Sequence, residues 1–502
     1  MHRRDLLRWL GVAAITPALQ PLTLEETFAQ TAAPDVELEL TTQPGEVAVR
    51  PGAPTRVWKF TGRVVRGPAG SLQTLPDSYL GPVIRLRRGQ RVRIRFRNRL
   101  TEPSIVHWHG LDVPPQADGH PRLAVDAGRD YVYDFNVINR AGTYWYHPHP
   151  HMRTGAQVYQ GLAGLLIVSD PEEEALGLPS GTGELLCVVQ DRRFDAKNQF
   201  VYAGGGMGMA AMMQTMNGWL GDEVLVNGRV KPTMDVDRRT YRVRLLNGSN
   251  ARIYKFAWSD GTPLTVIGGD GGLLDKARPM KALTLATGQR ADLLLDLSDR
   301  PAGSTLQLIS LAYPAEAVGH VGMMEETSSL PQGSAVSLLT LRVSGTAGPR
   351  YRAPEQLSAP PEHWAPNGSA PVRRVPLSFR QMTWMLAGRT FDMETVEADE
   401  TVAAGSTHIW EFVNEANPMG MMMAHPIHMH GRQFRVLSRT GADTNPLNEG
   451  FNDAGPTDTV LVLPGQTVRV QVTFSKLPGL YLYHCHILEH EDMGMMRNFK
   501  VV

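Results

Sequence analysis

Residues 478–496, PGLYLYHCHILEHEDMGMM, decide how this chain is read. A Pro-Gly turn opens the stretch, and the run that follows alternates as a β-strand does. Neighbouring strand residues point to opposite faces, and residues two apart share one. His484 and His486 therefore project from one face, and the Cys485 thiol from the other. An earlier stretch, AGTYWYHPH (141–149), has the same turn, aromatic strand and His-x-His ending. Upstream of each lies a second pair: SIVHWHG (104–110) matches HPIHMHG (425–431). Two units of the chain thus carry two His-x-His pairs each, on matching strands.

Short alternating runs fill the rest of the sequence, among them RVRIRFRNRL (91–100), TYRVRLLNGS (240–249), HIWEFVNEA (408–416) and TVRVQVTF (467–474). Turn signals separate them every dozen residues or so, which predicts an all-β chain of antiparallel sandwiches. Three of the runs end on an asparagine beside a turn, Asn98, Asn247 and Asn414, and so mark three copies of one unit. The expected domains are residues 34–170, 171–350 and 351–502, with proline-rich linkers near 170–182 and 353–376. The middle unit has no His-x-His pair.

Lys+Arg and Asp+Glu number 50 each, so no basic surplus points to nucleic acid. Two cysteines, Cys187 and Cys485, exclude a disulfide framework. Cys187, in ELLCVVQ with no histidine nearby, reads as core. Residues 1–33 open MHRRDLLRWLGVAAITPALQ and read as an export leader; Arg3 and Arg4 suggest the twin-arginine machinery. Its apolar run is too short to span a bilayer, and no other segment is apolar enough to do so. The expectation is an exported protein, periplasmic or extracellular.

The pairs His107/His109, His147/His149, His428/His430 and His484/His486 offer eight imidazoles, a donor set that suits copper. Parity separates a second site. Cys485 faces away from its histidine neighbours, and His425 has the opposite parity to His428 and His430. His490 and Met495 follow closely enough to turn back toward the thiol. Two histidines, a cysteine and a weak axial methionine make a blue-copper electron-transfer site. The first unit has Ser104, Pro148 and Arg153 where the third has His425, Cys485 and His490, so this second site belongs to the third unit alone. The strand His484-Cys485-His486 joins the two sites over on the order of 10 Å.

The four motifs HWHG, HPH, HPIHMHG and HCHILEHEDMGMM resemble those of the multicopper oxidases, and the likeness runs over nearly the whole chain after the leader, in the manner of bacterial laccases and cuprous oxidases. It implies three cupredoxin-like Greek-key β-sandwich domains and four copper ions. By that resemblance His107 and His428 hold a type 2 copper. His109, His147, His149, His430, His484 and His486 hold a type 3 pair, and His425, Cys485, His490 and Met495 a type 1 copper. A one-electron reductant would be oxidised at type 1 and dioxygen reduced to water at the other three. Asp118 and Glu491 resemble the family's proton-relay carboxylates, and His151 falls just outside the ligand set. The alternatives are a general laccase, a copper-free cell-division relative serving as an interaction module, and a two-domain copper nitrite reductase, whose pattern lacks the clustered histidines.

The reductant is Cu(I) or a small organic donor. Twenty-two methionines include Met207, Met209, Met212, Met213 and Met216, then Met323 and Met324, and Met419, Met421, Met422 and Met423 just ahead of His425. Thioethers favour Cu(I), which would make Met209, Met213, Met419, Met421, Met422 and Met423 substrate-binding residues in a protein of copper tolerance. Met209, Met212, Met213 and Met216 also have the spacing of an ordinary apolar helix face. No aspartate stands close before His425, where some cuprous oxidases place a substrate carboxylate.

Overall fold

Alternation sets the strands. Arg91–Asn98 buries Val92, Ile94 and Phe96 and turns its arginines outward, pairing parallel to Val36–Val47 and antiparallel to Asp130–Asn136. Thr240–Asn247 and Thr407–Asn414 occupy the same place in two further sheets. Each of the three strands ends on a buried asparagine whose amide donates to two carbonyls. These are Glu102 and Val125 for Asn98, Arg252 and Leu285 for Asn247, and Met423 and Val462 for Asn414. A computed structural model describes residues 33–202, 214–320, 328–359, 369–415 and 422–502. The leader through residue 32 and Met207, Met209, Met212, Met213, Met323, Met324, Met419 and Met421 lie outside the described residues.

Among the described residues, six of the seven sheets pack in three pairs, as the all-β reading requires. The first pair joins the four-stranded sheet containing Arg91–Asn98 to a five-stranded sheet that holds Val106–His109 and Gly142–Pro148. The second joins a seven-stranded sheet to a five-stranded one, and the third two five-stranded sheets. Separate cores fill them: Phe60, Ile94 and Trp108 in the first, Cys187, Leu245 and Phe256 in the second, Val375, Trp410 and Val470 in the third. Helices are short, and none of the described ones is long and apolar enough to cross a membrane.

Two stretches read as linkers carry structure. Pro171–Ala175 is a helix capped by Asp170, whose carboxylate accepts from the Glu173 amide at 2.8 Å; proline suits a first helical turn, where its missing N–H costs nothing. Val372–Arg380 is a strand with Val375, Leu377 and Phe379 buried in alternation. Period two outweighs its proline content.

Register places the histidines. His107 lies directly across from His147, and His428 directly across from His484, on equivalent antiparallel strand pairs of two sheets. Ile427 stands opposite Cys485. All four His-x-His pairs are fully buried.

Candidate metal centre

Cys485 lies in the core of the third sandwich, on the face opposite its histidine neighbours. Its Sγ is 3.5 Å from His425 Nδ1 and 3.6 Å from His490 Nδ1, all three buried. His490 donates from Nε2 to the Met216 carbonyl at 2.8 Å, which leaves Nδ1 with its lone pair toward the sulfur. Trp384 donates to the same carbonyl at 3.1 Å, and its ring packs 4.6 Å from His425 and 5.0 Å from His490. The fully buried Met495 closes the loop: its amide donates to the His490 carbonyl, and its own carbonyl accepts from the Cys485 amide. Burial pushes the thiol's pKa up and that of His490 down to about 3. A buried thiol becomes a thiolate only with a cation beside it.

On the other face the eight histidines of the four pairs converge. His109, His147 and His486 form one triad of facing nitrogens, His149, His430 and His484 a second, and His107 joins His428 between them. Five rings donate from Nδ1 and so turn Nε2 inward. The acceptors are the Asp118 carbonyl for His107, Pro148 for His147, Asp458 for His428 and Cys485 for His484, with the Asp118 carboxylate for His430. His109 is reversed, donating from Nε2 to Asp458 Oδ1 at 3.0 Å, so its Nδ1 is left with no protein partner.

This arrangement tests for a metal. His107 Nε2 and His428 Nε2 are 3.3 Å apart, and His430 Nε2 and His484 Nε2 are 3.2 Å apart. Each of those rings already carries its proton on Nδ1, so the short contacts bring lone pair against lone pair. A metal ion between them would satisfy those lone pairs together. Burial first, and the neighbouring rings second, hold His107, His430 and His484 far below the usual imidazole pKa, and burial brings His147 to about 3. Neutral, convergent imidazoles suit copper.

Comparison with known proteins agrees. Family models described as multicopper oxidase match residues 60–173 and 367–502. A multicopper oxidase of Staphylococcus haemolyticus is 32% identical over 84% of this chain and 82% of its own length. This chain belongs to the multicopper oxidases. The crystal structure of the McoA multicopper oxidase from Aquifex aeolicus superposes with a TM-score of 0.77 at 34% identity, covering 93% of this chain and 96% of that one. The cell division protein FtsP of Escherichia coli is also similar, 31% identical over 83% of this chain and 80% of its own.

Both carboxylates singled out from the sequence reach this oxidase's histidine cluster. Asp118 is held by the turn through Gly119, whose φ of +85° lets it press on the backbone of Val106 and His107 where a Cβ would clash. Its Oδ2 accepts from His430 Nδ1 at 2.8 Å. Glu491, in the short helix Leu488–Asp492, lies 3.4 Å from His149 Nε2 and 3.2 Å from His484 Nδ1. Burial raises the pKa of both far above the carboxylate norm, Asp112 adding to it at Asp118 and Asp492 at Glu491.

The methionines divide. Met216 and Met423 are buried in the core around Cys485. Met422 is half-buried on a two-residue strand, Met422–Met423, that pairs with Gly319–His320. His151, expected just outside the ligands, is instead exposed against Phe391, because the chain turns after Pro150. Sequence reasoning missed Asp458 and Arg290. Neither lies in a histidine motif, and each reaches the cluster from a distant part of the chain.

Proposed function

We propose that this oxidase couples one-electron oxidation of a small reductant, Cu(I) above all, to reduction of dioxygen to water. When bound, four coppers would supply that chemistry: a type 1 ion accepting single electrons, and a type 2 and two type 3 ions reducing dioxygen. His425, Cys485, His490 and Met495 would hold the type 1 ion. His107 and His428 would hold type 2, and His109, His147, His149, His430, His484 and His486 the type 3 pair. The convergence of lone pairs among buried, neutral histidines carries this reading, because such a donor set suits copper. His484-Cys485-His486 binds the two donor sets together through one strand. Asp118 and Glu491, each beside two cluster histidines, are placed to pass the protons that water formation consumes.

Cu(I) is favoured over phenols on a specific observation. The outer nitrogen of His490 is already bonded to the Met216 carbonyl, and both imidazoles beside Cys485 are buried, so neither presents an open edge to a flat organic donor. Sulfur ligands directly precede His425 in sequence, and they are soft enough for Cu(I). Arg3 and Arg4 of the leader support export by the twin-arginine machinery, and Cu(I) as substrate supports a role in copper tolerance.

The test replaces Met419, Met421, Met422 and Met423 together with leucine, which keeps volume and apolarity. Cu(I) oxidation should fall more than about tenfold while oxidation of a small phenol holds or rises. Equal loss on both substrates would make the enzyme a general laccase. Copper below about one atom per chain in the wild type would favour an interaction module like the cell-division relative.

A further inference from the structure

The middle unit contributes no ring to either donor set, yet one turn of it, Thr287–Arg290, touches the histidine-bearing units at every residue. Thr287 Oγ1 donates to the His486 carbonyl at 2.6 Å. Gly288, at φ +84°, lies so close that a Cβ would meet His486 Cδ2 at 3.0 Å and His109 Cε1 at 3.1 Å. The Gln289 amide donates to the Thr459 carbonyl at 2.9 Å. Arg290 is fully buried, with Nη1 and Nη2 on the two oxygens of Asp458 at 2.8 and 2.7 Å. Its Nε reaches the Thr143 carbonyl at 2.9 Å, and the remaining donors reach the carbonyls of Gly288 and Asp270.

Asp458 is the object of this clamp. One of its carboxylate oxygens accepts from His109 Nε2, and its backbone carbonyl accepts from His428 Nδ1. His109 comes from the first unit, Arg290 from the middle unit and Asp458 from the third, so the three units meet at one carboxylate. A neutral imidazole has two tautomers, and the acceptor on one nitrogen decides which lone pair faces a metal. His109 is the ring that donates from Nε2 while five others donate from Nδ1. A buried carboxylate, in turn, is stable only with its counter-ion in place.

We propose that the Thr287–Arg290 turn is the positioning element of the eight-histidine site, with Arg290 holding Asp458 so that His109 presents Nδ1 inward. The copper-free middle unit thereby sets the geometry of a site to which it gives no ligand. The inference rests on the copper reading above.

The test uses purified holoprotein and follows three readouts: copper per chain, the thiolate-to-copper absorption, and the rate at which a chelator removes copper. Arg290→Gln should keep the thiolate absorption per chain but lose the remaining copper roughly 10–100-fold faster, with a changed type 2 electron-spin signal. Arg290→Lys, which cannot span both Asp458 oxygens, should fall between. Arg242→Gln is the stability control, because Arg242 is an equally buried arginine of the same unit, paired with Asp292 and Glu173 and touching no histidine. A wild-type release rate in Arg290→Gln overturns the proposal, as does equal acceleration in Arg242→Gln. Should Arg290→Gln not fold, Asp458→Asn carries the same expectation, and a wild-type release rate there overturns it. If the wild type holds only thiolate-bound copper, the functional reading fails, and this inference with it.

Discussion

At the scale of single residues, parity along one strand separates two kinds of chemistry. His484 and His486 face a buried cluster of imidazoles, while Cys485 faces an apolar core containing Trp384, Met216 and Met495. Cys485→Ser keeps nearly the same shape and removes the soft ligand. It should abolish the thiolate-to-copper absorption and turnover while most other copper stays, as a visible spectrum and a copper assay would show; Cys187→Ser should change neither. Asp118 and Glu491 invite a different substitution, because their role depends on a proton. Glu491→Gln and Asp118→Asn should each slow turnover by about tenfold or more while substrate still reduces the blue site at its normal rate. Stopped-flow traces in which that first reduction is the slowed step would move both residues to the electron side. Motif and parity made the paired histidines and Cys485 legible, and the family resemblance pointed to Asp118 and Glu491. Asp458 was not: in PTDTV it has no histidine neighbour, and its partners His109 and Arg290 are 349 and 168 residues away.

At the scale of elements, the three asparagine-ended strands show how far pattern reading reaches. Alternation located the strands, and the shared asparagine located the repeat, because a turn at that point needs a donor for two buried carbonyls. Asn247→Ala would leave the carbonyls of Arg252 and Leu285 unpaired inside the protein. The expected loss is about 2 kcal/mol, since unsatisfied buried groups cost about 1–3 kcal/mol each and the backbone can relax toward one of them. A urea midpoint would register it, and an unchanged midpoint would mean that water enters the turn. Short helices were less legible. Pro171–Ala175 and Leu488–Asp492 span five residues each, too few for a period of 3.6 to declare itself. The spacing of Met209, Met212, Met213 and Met216 did suggest a helix, and residues 214–217 are helical with Met216 packed in the core.

At the scale of the whole molecule, charge rather than copper ties the first unit to the middle one. Arg85, Arg242 and Arg244 meet Glu173, Glu184 and Asp292, three cations against three anions. Thr143, a side chain of the first unit, donates to Asp292 Oδ1 and accepts from Arg244, so the network includes both units. No sequence pattern announces it, because the six charges come from segments far apart and look like solvated residues one at a time. Burial alone would raise the pKa of Asp292, but Arg242 and Arg244 outweigh it and hold the carboxylate below the ordinary value of 3.8. A group whose pKa falls on folding adds stability above its unfolded pKa, and that stability disappears as the pH drops through the folded value. Asp292→Asn leaves an unbalanced positive charge in the interior, so it should cost about 3–5 kcal/mol at pH 7. The gap between variant and wild type should then begin to narrow as the pH falls below about 4, because Asp292 of the unfolded wild-type chain takes up a proton there, and the folded carboxylate follows at lower pH. Urea midpoints at pH 7, 5 and 3.5 measure that gap directly, and the protonation of the buried histidines, common to both proteins, cancels in the comparison. A gap that stays constant across the series would assign the loss to packing around residue 292 instead of to its charge.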